Sequence, residues 1–264
     1  MKLTVLVDNN TYIDQYYLGE PGVSFYIESQ NQKVLFDTGY SHIFKENAKK
    51  MGIDLTTLDY VVLSHGHNDH TLGLIHLECV KTTILTHPDI CIPKYKNEAY
   101  IGAPYSKSEF EQKWNCNFTK EPYWINSELV YLGEIPRVTS FENKEPIGYQ
   151  IMDNQKVDDY VYDDSALVYK TREGLYVITG CSHSGICNIV EYAKKVCNDT
   201  RILGVIGGFH MFDLNEQSMN TIAYFKENQI AELYPCHCVS LKVKAEMMKS
   251  LPVHEVGVGL QIEW

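Results

Sequence analysis

A dense group of metal-ligand side chains directly follows an apolar, strand-like run in the first half of the chain. The run Tyr60–Leu63 leads into Ser64–His70, which reads SHGHNDH and holds three imidazoles and one carboxylate. A chain must turn where a buried strand reaches the edge of its sheet, and side chains in that turn can project into a shared cleft. The segment therefore favours a fold in which strand ends line such a cleft.

The spacing of these side chains predicts two adjacent metal positions. In extended geometry His65 and His67 point the same way and can bind one ion through their ring nitrogens. Asp69 and His70 are neighbours, point in different directions and address a second position, and Gly66 relieves crowding near the ions. A water between two such ions would provide a hydroxide nucleophile at neutral pH. The alternative interpretation is a set of surface histidines in a polar loop.

Short strands and helices alternate over most of the chain, which predicts sheets covered by helices. In the first half, strands are predicted at Leu3–Val7, Val23–Ile27, Lys33–Phe36, Tyr60–Leu63 and Thr82–Thr86, and helices at His42–Met51 and from near Thr71. In the second half, strands are predicted at Ala166–Tyr169, Leu175–Ile178, Leu203–Ile206, Ile230–Tyr234 and near Val256–Ile262, and helices at Ile186–Val196, Ser218–Glu227 and Leu241–Lys249.

The chain is predicted to be a single domain over residues 1–264, since no low-complexity tract or linker divides it. A stretch at about 88–146 fits neither the strand nor the helix pattern and is rich in aromatic residues. We interpret it as an insertion, because such irregular stretches often carry function. Its aromatic side chains could form a lid that stacks on a planar ring, part of the core or a dimer interface.

Two motifs make the chain resemble the metallo-β-lactamase superfamily. They are His65-x-His67-x-Asp69-His70 after an apolar strand and the upstream segment Val34–Gly39, which reads VLFDTG. The resemblance covers most of the chain. It implies an α/β fold, a four-layer αββα sandwich, with the metal site at one edge of the two packed sheets.

A binuclear site in this superfamily requires further ligands from the second half of the chain. His183, His210 and His237 each follow an apolar strand, and Cys181 lies close to His183. We expect His183 and His237 to be ligands, and His210 to be either a ligand or a proton donor that faces the substrate. Where the superfamily usually has a bridging aspartate after a glycine, this chain has Cys181. The bridging residue is therefore open among Cys181, His183, His210 and Asp164.

The metal set implied by the resemblance is two divalent ions. A thiolate ligand at Cys181 would favour zinc or iron over magnesium or manganese. Zinc is the expected ion, with iron or manganese as alternatives. Taken by themselves, Cys181, Cys236 and Cys238 are better interpreted as small buried apolar residues than as ligands, because a cysteine outside a disulfide is commonly buried.

Several shorter motifs resemble one branch of the superfamily, the dihydropterin-6-methyl-aminobenzene-ribofuranosyl-phosphate synthase-like proteins. They are DDSAL, TGCSHSGICNI, GGFHM, PCHC and GEIPR, and they begin at residues 163, 179, 207, 235 and 133. The branch name describes transfer of a pterin, whereas the ligand pattern is that of a hydrolase.

Three functions are consistent with these residues. The first is a binuclear hydrolase of a phosphoester, phosphodiester or related small ester, in which Asp69 binds a metal and orients the hydroxide. There, His210 would protonate the leaving group or bind the substrate, and Arg137 would pair with an anionic group. The second is the pterin transferase, and the third is a non-catalytic metal- or redox-binding protein. For Arg137 alone, a plain surface ion pair is the favoured interpretation.

The charge of the chain restricts its partners. The formal net charge is -11 over 264 residues, and no basic run exceeds a lysine pair. We therefore expect no nucleic-acid or membrane-surface partner. The expected partner is a small-molecule substrate, which the hydrolase hypothesis makes an anion. The N-terminus lacks the pattern of a signal peptide, and the eight cysteines show no C-x-x-C spacing. Both features predict a cytoplasmic protein with reduced thiols, and a homodimer remains an open alternative.

Overall fold

A computed structural model describes residues 1–78, 81–142 and 144–264 of the chain. The chain divides into two compact units. The first comprises Met1–Lys120, Pro146–Asp163 and Gly257–Trp264, and the second comprises Glu121–Glu145 and Asp164–Val256. Because this division does not show whether either unit folds alone, the single domain over 1–264 stays a prediction.

The first unit contains eleven strands and three helices among its described residues. The strands are β1 Lys2–Val7, β2 Ser24–Ser29, β3 Gln32–Phe36, β4 Tyr60–Val62, β5 Thr83–Thr86, β6 Lys94–Lys96, β7 Ala99–Tyr100, β8 Asn115–Phe118, β11 Gly148–Met152, β12 Gln155–Asp159 and β17 Gln261–Glu263, and the helices are α1 Ile43–Lys50, α2 Asn68–Thr71 and α3 Lys107–Lys113. The larger sheet has the strand order β17-β1-β2-β3-β4-β5-β8, and the smaller sheet has the order β12-β11-β6-β7. Strands β3, β4, β5 and β8 run parallel.

The second unit contains one sheet and three helices among its described residues. Its strands are β9 Tyr123–Trp124, β10 Leu129–Tyr131, β13 Ala166–Lys170, β14 Leu175–Thr179, β15 Ile202–Gly207 and β16 Glu232–Pro235, and its helices are α4 Ile186–Cys197, α5 Glu216–Glu227 and α6 Leu241–Met247. The sheet has the order β16-β15-β14-β13-β10-β9, in which β14, β15 and β16 run parallel. Short apolar strands joined by amphipathic helices account for this parallel arrangement, since parallel strands need such crossovers.

Each unit has its own hydrophobic core. In the first unit, α1 buries Phe44 and Ala48 against apolar residues of the large sheet such as Leu35 and Val61. In the second, α4 buries Ile189 and similar residues of the same face against the parallel strands. Burial of these apolar faces is what makes such short helices stable.

Three predictions about the elements were wrong. The helix expected from near Thr71 begins at Asn68 and ends at Thr71, and a 3₁₀ turn follows over Leu72–His76. The last strand spans only Gln261–Glu263. The stretch at 88–146 is not irregular, since it contains β6 to β10 and α3.

The aromatic residues of that stretch have different environments. Phe110 and Trp114 are buried in the core of the first unit, whereas Trp124 is 41% exposed. The core interpretation of the aromatics is therefore confirmed for the α3 segment. Among the described residues, no helix combines the length and the apolar character needed to span a membrane.

Candidate metal centre

The histidine-rich loop lies where parallel strands of the first unit end. Because β3 and β4 are parallel neighbours, the residues that follow them meet at one edge of the sheet. Asp37 follows β3, and Ser64 to His70 follow β4. The sheet therefore brings the FDTG segment and the histidine-rich loop together. In the sequence they are two separate motifs.

His65 and His67 direct one ring nitrogen each toward a common point. The Nε2 atom of His65 lies 3.0 Å from Nδ1 of His67, and Nδ1 of His65 lies 2.9 Å from Oγ of Ser64. Both histidines are buried. Two imidazole nitrogens on one tetrahedral zinc ion lie roughly 3.3 Å apart, given Zn–N bonds of about 2.0–2.1 Å. The pair therefore fits a single ion.

Asp37 fixes the orientation of His70. Its Oδ2 atom lies 2.6 Å from Nδ1 of His70, and its two oxygens accept hydrogen bonds from the Ser64 amide at 2.8 Å and the Ser64 hydroxyl at 2.7 Å. A carboxylate can only accept here, so Nδ1 of His70 donates and Nε2 is the nitrogen available to a metal. That nitrogen lies 3.8 Å from Oδ2 of Asp69.

Thr38 holds the backbone at His70 and lies close to the backbone of Gly73. The amide and hydroxyl of Thr38 both donate to the carbonyl oxygen of His70, at 2.8 and 3.0 Å. A Cβ atom at Gly73 would lie 2.1 Å from the Thr38 carbonyl oxygen, so only glycine allows this approach. Sequence reasoning singled out the FDTG segment as a motif but gave Asp37 and Thr38 no role.

A buried ionic cluster holds the other side of the loop. The Lys94 ammonium lies 2.9 Å from Oδ1 of Asp163 and 3.2 Å from Oδ1 of Asp159. Oδ2 of Asp163 accepts the amide of Gly66 at 2.7 Å, and Oδ2 of Asp159 lies 3.9 Å from Nε2 of His67. Burial alone raises the pKa of Asp159, but His67, Lys94 and the Val161 amide offset it and lower the pKa to about 2. Sequence reasoning missed this cluster.

Three loops of the second unit carry the remaining predicted ligands. Cys181 and His183 follow β14, His210 follows β15 and His237 follows β16. Ser182, His210 and His237 all adopt positive φ angles, of 58°, 48° and 48°. Such conformations cost about 1–3 kcal/mol each and are retained where surrounding contacts enforce them, often at functional sites.

The second unit brings these ligand candidates together in two pairs. The potential ligand atoms of Cys181 and His237 lie within 4.8 Å of each other, and so do those of Asp69 and His70 in the first unit. The rings of His183 and His210 have centroids 4.4 Å apart. His183 is buried, whereas His210 and His237 are half-buried. The two pairs of the second unit offer thiolate sulfur and imidazole nitrogen, which are ligand types that zinc and iron accept.

Cys238 and Ser182 join the three loops. The Cys238 thiol accepts the His210 amide at 3.3 Å and lies 3.6 Å from the carbonyl oxygen of Cys181. The Ser182 hydroxyl donates to the carbonyl oxygen of Gly208 at 2.6 Å. Cys181, Cys236 and Cys238 are all buried.

Two further candidate residues have definite surroundings. Oδ2 of Asp164 accepts hydrogen bonds from the amide and hydroxyl of Ser184, at 2.8 and 2.5 Å, and so supports the loop that carries His183. Arg137 is half-buried, and the next two amides, those of Val138 and Thr139, donate to Oδ1 of Asn188 at 2.8 Å each. The backbone next to Arg137 is thus attached to α4.

Comparison with known proteins identifies the class to which this fold and these loops belong. The family model of the metallo-β-lactamase superfamily matches residues 18–90. Tm1679, described as a metal-dependent hydrolase of the β-lactamase superfamily, is 31% identical over 100% of this chain and 99% of its own, with a TM-score of 0.87. The chain therefore belongs to the metallo-β-lactamase superfamily and has its α/β fold, which confirms the predicted resemblance and fold class.

Two proteins of Methanocaldococcus jannaschii are similar to this chain in sequence. The uncharacterised protein MJ0448 is 34% identical, and the match covers 93% of each chain. The enzyme named 7,8-dihydropterin-6-methyl-4-(β-D-ribofuranosyl)-aminobenzene-5'-phosphate synthase is 28% identical, and the match covers 94% of this chain and 91% of that protein. The chain is thus similar to the branch that its shorter motifs indicated.

Proposed function

We propose that the protein is a binuclear metal-dependent hydrolase of a small anionic phosphoester, phosphodiester or related ester. Its metal ligands in this proposal are His65, His67, Asp69, His70, Cys181, His183 and His237. The observation that carries the proposal is that hydrogen bonds in the histidine-rich loop orient two of its imidazoles for metal binding. Nδ1 of His70 and Nδ1 of His65 are each engaged by an oxygen at 2.6 and 2.9 Å, which directs Nε2 of both rings toward a metal.

The ions and the protein side chains would have different tasks. Two divalent ions, zinc in the first place and iron or manganese as alternatives, supply Lewis acidity and lower the pKa of a bound water. Asp69, whose side chain is 31% exposed, faces both a ligand position and solvent, and would orient the attacking water. His210 is half-buried at a loop end, where its imidazole can donate a proton to the leaving oxygen.

The substrate is proposed to be a small anion that Arg137 helps to bind. A guanidinium group matches a phosphate or carboxylate, and the neighbouring amides hold its backbone against Asn188. The net charge of -11 disfavours nucleic acid and anionic membranes as partners. A cytoplasmic location and a homodimer belong to the same proposal.

The alternative is group transfer rather than hydrolysis. It is favoured by the 28% identical relative that is named a dihydropterin-ribofuranosylaminobenzene phosphate synthase. Both reactions would use the same metal ligands and differ in the acceptor, which is water in one and an organic amine in the other. Turnover that strictly requires a second organic substrate would support transfer, and turnover of simple phosphodiesters in water would support hydrolysis.

The decisive experiment measures metal content and turnover on the same preparations. Protein purified without a chelator or a histidine tag is analysed by elemental mass spectrometry, and assayed on phosphodiester, lactone and pterin-pyrophosphate panels. Asp69→Ala and His183→Ala are compared with His42→Ala. His42 is a suitable control because it is an exposed histidine paired with Glu46 in α1.

Two ions per wild-type chain, retained in His42→Ala and lost in the other two variants, would support the ligand set. Hydrolysis by the wild type that falls with metal content would support the reaction. Metal content unchanged by His183→Ala would contradict the ligands assigned to the second unit. Two ions without turnover on any panel would favour the non-catalytic metal-binding function.

A further inference from the structure

We propose that Lys94 is a positioning residue for the metal-binding loop, and that it acts on Gly66 and His67 through the carboxylates of Asp163 and Asp159. The inference rests on the proposed function, because the role it assigns to Lys94 is directed at the ion bound by His65 and His67. In this scheme Lys94 does not act as a metal ligand. It fixes the carboxylates of Asp159 and Asp163, and these carboxylates position the loop.

The Lys94 ammonium is a charge buried in the first unit. The side chain is 1% exposed, and so are those of Asp159 and Asp163. Its Nζ atom lies 2.9 Å from Asp163, and 3.2 and 3.3 Å from the two oxygens of Asp159. Burial lowers the pKa of Lys94, but the two carboxylates more than offset this effect and raise the pKa above its usual value. The ammonium group therefore stays charged.

Each carboxylate uses another contact to hold the loop. Asp163 binds Lys94 through Oδ1, while its Oδ2 accepts the Gly66 amide at 2.7 Å. Asp159 binds Lys94 through both oxygens, and its Oδ2 faces Nε2 of His67 at 3.9 Å. The carboxylate of Asp163 thus holds the backbone before His67, and the carboxylate of Asp159 faces Nε2 of the His67 ring. Lys94 fixes both carboxylates.

The position of the Asp159 carboxylate determines which nitrogen of His67 is available to bind an ion. A carboxylate near Nε2 favours the tautomer with a proton on Nε2, which leaves the lone pair on Nδ1. Nδ1 is the atom that lies 3.0 Å from Nε2 of His65, the other ligand of the same position. The geometry of Gly66 is equally confined, since a Cβ atom there would lie 2.5 Å from the Ile90 carbonyl oxygen.

The charges of the cluster explain why the lysine is needed. One ammonium and two carboxylates leave one formal negative charge, which a divalent ion on His65 and His67 would offset. Without Lys94, two buried carboxylates would face each other with no cation between them. One of them would then turn away from the other, and this movement breaks a contact with the loop.

The test is a cobalt titration of the full-length apoprotein, followed by visible absorption, since the spectrum of Co²⁺ reports its ligand geometry. Lys94→Met is compared with wild type and with Lys170→Met. Lys170 is a matched control because its half-buried ammonium donates to the Cys197 carbonyl oxygen at 2.7 Å within the second unit. We expect Lys94→Met to bind cobalt about 10- to 100-fold more weakly with an altered spectrum, and Lys170→Met to match wild type.

A purely structural role would give a different result. If Lys94→Met has a lower melting temperature but the cobalt affinity and spectrum of Lys170→Met, the proposal is overturned. If Lys94→Met does not fold, Asp159→Asn decides, since it keeps the size of the side chain and removes the charge that faces His67. Weaker cobalt binding by Asp159→Asn supports the proposal, and unchanged binding contradicts it. A wild type that binds no cobalt would overturn the proposed function as well, so the two failures are distinguishable.

Discussion

At the scale of single residues, Asp37 is a carboxylate outside the proposed ligand set that fixes the orientation of one proposed ligand, His70. It is fully buried, accepts two hydrogen bonds from Ser64 and engages Nδ1 of His70. The positive φ angle of Asp37, 56°, places its side chain in this position directly after β3. The residue therefore converts a strand end into a fixed acceptor for an imidazole.

Replacement of Asp37 by asparagine is expected to abolish the metal-binding tautomer of His70. An asparagine amide group can donate to Nδ1, which moves the proton to Nε2 and removes the lone pair that a metal needs. We expect metal affinity to fall about 10- to 100-fold with little change in fold, measured by competition with a chromophoric chelator. Asp199→Asn, which removes the surface partner of Arg201, is the control. Equal affinities in the two variants would contradict the role of Asp37.

Glu142 gives a prediction about pH. Its carboxylate is buried and accepts the amides of Cys187 and Asn188 at 2.8 Å each. Burial raises its pKa from 4.5 to about 7 in spite of these bonds. The folded state then binds a proton that the unfolded state releases, so the free energy of unfolding should fall as pH rises from about 4.5 to 7 and level off above 7. The loss is at most about 3 kcal/mol.

Urea denaturation of wild type and Glu142→Gln between pH 4.5 and 8 measures this effect. Only the difference between the two proteins is used, because histidines titrate in the same range in both. The stability advantage of the wild type should shrink as the pH approaches 7. Parallel stability curves would show that Glu142 has an ordinary pKa in the folded protein.

At the scale of elements, the sequence predicted those strands and helices whose apolar pattern is strong. The helix α4 spans Ile186–Cys197, one residue longer than predicted, because its apolar face repeats at helical spacing. The strands β7 and β12 were missed, since their residues are largely exposed and show no regular alternation of apolar and polar residues. Each pairs with the strand directly before it in the chain, and the two hairpins are joined by the long-range pairing of β6 with β11, which no local pattern contains.

Prediction of the candidate metal centre from the sequence has the same limit, because local patterns do not contain long-range contacts. The histidine-rich loop was recognisable because its donors are close in sequence, and all three loops of the second unit follow apolar strands. Lys94 and Asp163 could not be paired from the sequence, because 69 positions separate them. A contact of this kind depends on how β6 and β11 pair, as residues 94 and 150 do.

The close packing of the loops after β14, β15 and β16 predicts a coupling between Gly208 and Cys238. A Cβ atom at Gly208 would lie 2.4 Å from the Cys238 sulfur and 2.7 Å from the Gly180 carbonyl oxygen. Gly208→Ala should therefore lower the free energy of unfolding by roughly 1–3 kcal/mol. In a Cys238→Ala background the loss should be smaller, because the sulfur is absent. Additive effects in this double-mutant cycle, measured by urea denaturation, would show that the thiol does not confine Gly208.

At the scale of the whole molecule, the two units each present loops at the ends of parallel strands, and each set of loops carries potential ligands. If both sets bind metal, a divalent ion should stabilise the folded chain as any ligand of the native state does. At a zinc concentration of 100 times the dissociation constant the gain is about 2.7 kcal/mol. That corresponds to a rise in melting temperature of about 5–10 °C for a chain of this size.

Hydrogen exchange of the full-length protein, measured by mass spectrometry with zinc and then with a chelator, separates the contributions of the two units. We expect zinc to slow exchange both in the loop from Ser64 to Gly73 and in the loop from Cys181 to Gly185, because a ligated loop opens less often. The exposed 3₁₀ turn Leu55–Thr57, which holds no ligand candidate, serves as the internal control. Protection confined to the first loop would mean that the donors of the second unit are not ligands. Protection in both loops would support the assignment of metal ligands to each unit.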